Sequence, residues 1–148
     1  MQARDVELGP IDIIVIGYPA DAPMTGEAVP IFMDLIERGI VRVLDVMFVI
    51  KNEDGTFSGF DATDVTEESV GDFNVFAGAS SGLLDDQDLE MAAEAIEPGS
   101  AAVLIVYENS WAAPFAAAVR RNGGVLIASE RVAVQDVIDA LDAAEATA

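Results

Sequence analysis

Cysteine and histidine are both missing from the 148 residues, and lysine occurs once, as Lys51. Their absence excludes disulfides, thiolate nucleophiles, cysteine-held iron–sulfur clusters, cysteine or imidazole zinc sites and imidazole acid–base chemistry. Basic residues are scarce in general. Seven Lys and Arg stand against 27 Asp and Glu, a formal net charge of −20 at pH 7. So negative a chain repels nucleic-acid phosphates and anionic lipid, and neither is an expected partner. No apolar run approaches the ~20 residues of a membrane span, and Met1 to Glu7 are too acidic and polar for a signal peptide. The expected setting is soluble and cytoplasmic.

What is present points to a folded core. Hydrophobic residues make up 52% of the sequence, which separates it from disordered acidic tails. The length fits a single domain over residues 1–148. The bland reading of the charge is solubility or adaptation to a salty cytoplasm. A basic protein partner or a divalent cation is the sharper one, and the bland one is preferred.

The branched run Ile11 to Tyr18 reads as a buried strand. Ala28, Ile31, Phe32, Leu35 and Ile36 recur at helical spacing, with Thr25 as N-cap, Pro30 near the first turn and Arg38-Gly39 at the end. Ile40 to Lys51 is a long strand, Asn52-Glu53-Asp54-Gly55 a turn, and Thr56 to Phe60 the return arm of a hairpin. Residues 61–76 give no clear pattern, and Gly78 to Gly82 form a small-residue hinge. Asp85 caps a helix running to Ile96, and Ala101 to Tyr107 is a strand. Ser110 caps a helix over Trp111–Arg121, Val125 to Val132 is a last strand, and a C-terminal helix covers about 134–145.

One unit occurs twice. Tyr18, Pro30, Gly39 and Val41 are matched in order by Tyr107, Pro114, Gly123 and Val125, with nine residues from proline to glycine in both copies. Two βαβ units folding together predict an α+β, ferredoxin-like (duplicated βαβ) antiparallel sheet with helices. The repeat halves are about 11–60 and 101–133. The insertion of about 61–100 carries one helix, and the C-terminal helix is a further addition. A small doubly wound α/β sheet is the rival.

Ile13 and Val15 alternate with Ile14 and Ile16, and Val103 and Ile105 with Leu104 and Val106, so both faces of these strands are apolar. These two are expected as the central strands. Two repeat helices shield one face only, which leaves the other to the additional helices or to a second subunit. Homo-oligomerisation, as a dimer or higher, is the leading expectation.

No set of nucleophile, base and oxyanion donor is visible, so no catalytic residue and no cofactor are assigned. Asp85, Asp86 and Asp88 are the densest carboxylates and weak candidates for Ca2+ or Mg2+. They lack the glycine and distal glutamate of an EF-hand loop, and acidic residues in a first helical turn are expected from the helix dipole. The glycines at 78 and 82 lack the Lys-Ser/Thr ending of a phosphate loop. Asp45, mid-strand between Leu44 and Val46, reads either as a buried acid or as an edge-strand residue pairing with Arg42 or Arg131, the second being preferred. Tyr107, Glu108, Asn109 and Trp111 sit where a strand gives way to a helix, a place for a pocket or an interface.

Phe76-Ala-Gly-Ala-Ser-Ser-Gly-Leu-Leu-Asp-Asp, Ile96-Glu-Pro-Gly-Ser, Tyr107-Glu-Asn-Ser-Trp-Ala-Ala-Pro-Phe-Ala, Gly9-Pro-Ile-Asp and Arg42-Val-Leu-Asp-Val together resemble a bacterial family of short acidic proteins. That family is classified only as a domain of unknown function, of the 6325 type. It is distantly similar to a broader family, often called membrane-associated, that carries a glycine-rich apolar hairpin between two halves. Here residues 73–84 are too short to span a bilayer, so a membrane location does not carry over. The resemblance implies no catalytic residue, substrate or cofactor, and it directs mutation first to Glu108, Asn109, Trp111 and Pro114. The expected role is a non-enzymatic oligomeric binding or structural protein. A small-molecule or ion sensor with a pocket near Trp111 is second, and a carboxylate-dependent enzyme third.

Overall fold

The computed structural model describes residues 8–23, 27–61, 81–125, 127–128 and 132–146. In chain order these form β1 (Ile11–Tyr18), α1 (Ala28–Glu37), β2 (Arg42–Lys51), β3 (Phe57–Asp61), α2 (Asp86–Ala95), β4 (Ala101–Glu108), a 3-10 turn (Ser110–Ala112), α3 (Ala113–Arg121) and α4 (Val134–Ala146). The four strands make one sheet in the order β1-β4-β2-β3, each antiparallel to its neighbour. The chain is thus α+β, with four helices among the described residues.

Local signals place several elements. Gly55, at φ 90°, closes the hairpin between β2 and β3, and the amide of Asn52 donates to the carbonyl of Thr56 across it. Asp85 and Asp88 accept each other's backbone N–H at 3.0 Å, a reciprocal capping box that starts α2. Arg38 and Gly39, the latter at φ 72°, end α1, while its expected N-cap Thr25 lies outside the described residues.

The sheet lies between two helices. Val103 and Ile105 of β4 turn toward α1 and join Val29, Val46, Phe48 and the half-buried Phe32 and Ile36. Ala102, Leu104 and Val106 turn the other way and pack with Leu89, Ala92 and Ala93 of α2. The face opposite α1 is therefore shielded, over β4 and β2, by the helix of the expected insertion. β4 is buried from Ala102 to Val106.

Three expectations need correction, and a fourth is not established. Among the described residues Ile11–Tyr18 is not a central strand but one border of the sheet, and β2 takes the central place beside β4. Val125, Ile127, Ala128 and Val132 lie in no strand, although Val125–Val132 was the expected last strand; its other residues fall outside those described. The order β1-β4-β2-β3 accordingly does not establish the duplicated βαβ arrangement: the strand beyond β2 is the hairpin arm, not a second-repeat strand. Ser110 does not cap α3 either. Its hydroxyl is spent on Glu108, a 3-10 turn intervenes, and Pro114 occupies the first turn of α3.

Candidate functional site

Two carboxylates lie deep in the sheet. The register of β2 against β4 skips Leu44, which makes a bulge between Val43 and Asp45. The bulge turns Asp45 inward opposite Val106, where it is 2% exposed. Its Oδ2 accepts the backbone N–H of Leu84 at 2.9 Å, just before α2 begins. Asp45 is thus a buried staple between β2 and the entry to α2, which replaces the expectation of an edge strand or a bond to Arg42. Arg131 lies outside the described residues.

Glu108 ends β4 and is 3% exposed. Gly9 N–H donates to its Oε2 at 2.7 Å, Ser110 Oγ to its Oε1 at 2.9 Å, and Arg42 Nε stands 3.1 Å from Oε1. The neighbouring Asn109 donates through Nδ2 to the Pro10 carbonyl and to Asp12 Oδ2, each at 3.0 Å. Trp111 N–H donates to the Ile40 carbonyl at 3.2 Å, and its indole N–H to Asn109 Oδ1 at 3.4 Å. Tyr107 is half-buried, its ring edge-on to Phe32 with centroids 6.3 Å apart.

These residues were expected to line a pocket or interface. The structure brings Tyr107, Glu108, Asn109 and Trp111 together, with Asp45 elsewhere in the sheet. What the four do is tie three segments: residues 9–12, residues 40–42 and the turn after β4. Every polar atom named has a partner, and each bond fixes chain position. The indole of Trp111, 67% exposed, and Phe115, 74% exposed, remain outward. A hollow of about 670 Å3 lies against α3, lined by Pro10, Ile11, Ala112, Phe115, Val119 and Arg120 among others.

The Asp85, Asp86 and Asp88 cluster is placed as a helix start. Asp85 and Asp88 spend oxygens on each other's amides, and among the described residues no group of three or more acidic side chains is disposed to hold a metal. Asp54 is held below its usual 3.8 by the Thr56 hydroxyl first and by the Thr56 amide second. Among the described residues no helix is long and apolar enough to cross a membrane.

A family model of proteins of unknown function, DUF6325, matches residues 7–147, which takes in the whole of this arrangement. The chain belongs to that family. No curated protein and no solved structure matches it.

Sequence reasoning missed three features. Gly9 is required because a Cβ there would overlap the Asn109 carbonyl; no local pattern announces an approach across 100 positions. Lys51 donates from Nζ to the carbonyls of Ala93 and Ile96, both at 2.9 Å, and so closes the C-terminal end of α2. Its solitude in the sequence was visible, its partner was not. The third is the place of the uncovered apolar side chains: the two apolar faces were read, but they lie open on a border strand, not at the centre of the sheet. On the α2 side Ile11, Ile13 and Val15 are 48%, 53% and 40% exposed. On the α1 side an apolar groove of about 210 Å3 runs between the strand and the helix, lined by Ile14, Ile16, Tyr18, Ile31, Phe32 and Leu35 among others.

Proposed function

We propose that this chain is a non-enzymatic binding or structural protein that works as an oligomer of itself. The observation that supports it most is β1, which keeps apolar side chains open on both faces of the sheet where β4 has none. At ~25 cal/mol per Å2 such surface is costly to leave in water. The two buried carboxylates favour the same reading, because each serves as a structural tie with its hydrogen bonds taken up inside the fold. Light scattering after gel filtration tests it: an oligomer elutes at a multiple of 15.5 kDa, and a single-subunit mass at all concentrations and salt levels refutes it.

A small-molecule sensor is the second reading, supported by the hollow of about 670 Å3 beside α3. Trp111 is the only tryptophan. A saturable change in its fluorescence on addition of a metabolite or Ca2+ supports sensing, and a flat response across a metabolite panel removes it.

A further inference from the structure

Among the described residues β1 borders the sheet with eight residues, none of them proline, lysine or arginine and only Asp12 charged. Natural edge strands are blunted by brevity, charge, proline or a bulge. β1 has neither proline nor bulge and a single charge, Asp12, in a chain that carries 27 acidic residues. We infer that a second copy of this chain pairs antiparallel with β1, joining two sheets into one across a two-fold axis at Ile14. The inference rests on the self-association proposed above and names its surface.

The register follows from geometry. Side chains alternate across a strand, and directly opposed residues of an antiparallel pair share a face. A two-fold perpendicular to the sheet must therefore pass through a residue of β1, not between two. With the axis at Ile14, Ile13 lies opposite the partner subunit's Val15, and Ile11 opposite the partner subunit's Gly17. All three exposed apolar residues of the α2 side then fall within the overlap. With the axis at Val15, Ile11 is left outside it. On the other face the two grooves beside α1 meet across the axis.

Charge and area agree with this choice. Two bodies of formal charge −20 can meet only where the touching surface is nearly uncharged, and Ile11, Ile13 and Val15 form such a strip. Seven overlapping residues run about 24 Å. Over a layer of sheet and helix about 25 Å tall, that is about 600 Å2 per copy, the lower bound for a stable dimer at about 1,200 Å2 in total.

The test uses the full chain, which has no native cysteine. Ile13→Lys is set against Ile50→Lys, a position of comparable exposure away from β1. Ile14→Cys is set against Ile50→Cys under mild oxidation, since opposed residues at the axis lie about 4.5–5.5 Å apart between Cα atoms, within disulfide reach. The expected result is a dimer for the unmodified chain and for Ile50→Lys. Ile13→Lys weakens association by about tenfold or more, and a disulfide-linked dimer forms from Ile14→Cys alone. If Ile13→Lys fails to fold, the cysteine pair decides by itself. A dimer that survives Ile13→Lys and gives no Ile14→Cys crosslink overturns the β1 surface while leaving self-association standing. A monomer under all conditions overturns both. So does a monomer whose β1 amides resist hydrogen exchange, since its own chain then covers the edge.

Discussion

Glu108 is a side chain on which distant parts of the chain converge. Replacing it by alanine leaves the Gly9 amide and the Ser110 hydroxyl without their acceptor and Arg42 without its counter-charge. Loss of one partner in a buried charged network costs about 2–4 kcal/mol, and urea unfolding of Glu108→Ala is expected to show a loss in that range. Asp54 gives a subtler case at the surface. Its carboxylate is held low by Thr56, so the stability it contributes is present above its ordinary 3.8 and is lost as pH falls through the lowered value. In Thr56→Val the main cause of the shift is gone, and an NMR titration is expected to find the Asp54 midpoint moved up toward 3.8. An unchanged midpoint means that the hydroxyl is not what holds it.

Among the elements, α2 is fixed at both ends, by the capping box at Asp85 and by Lys51 at its carbonyl end. Lys51→Met keeps the aliphatic stem and removes two charge-assisted bonds, an expected cost of about 1–3 kcal/mol. Faster hydrogen exchange confined to the last turn of α2 checks the location. α4 is the opposite case. None of its residues is buried, and its stripe of Val134, Val137, Ile138 and Leu141 lies open. A chain ending at Ala133 should therefore unfold within about 0.5 kcal/mol of the full one; a larger loss shows that the stripe is packed in solution.

The same contrast decides what could be read from the sequence. The hairpin at Gly55 and the start of α2 at Asp85 were legible because cause and effect lie within a few residues. The stripe of α4 was legible too, but periodicity records that a face is apolar and not what meets it. Asp45 stood out, yet its inward turn depends on a bulge set by pairing with β4, which no local pattern encodes. Glu108 and Gly9 meet at a separation of 99 positions. Strand order was hardest, because an apolar run such as Ile11 to Tyr18 looks alike at the centre and at the border of a sheet.

For the whole molecule the dominant quantity is the charge. A formal −20 on a chain of this size repels itself, and about 10 Å of Debye screening at 0.1 M salt relieves the strain on the compact state. The melting temperature is expected to rise from low to moderate salt, and self-association to tighten over the same range, since both bring negative charges closer. Calorimetry and sedimentation at matched salt measure the two separately. A flat melting temperature is the outcome that removes self-repulsion as a force on this fold.

One further consequence follows from Lys51 being the only lysine, with its amine engaged between Ala93 and Ile96. A reagent that acylates amines finds a single side chain to attack, and that nitrogen must release two carbonyls before it can react. The rate of acylation at Lys51 is thus a clock for the fraying of one helix end. Once acylated, the side chain has lost its charge and the helix its clasp, so the label would record one opening in each molecule and hinder the return.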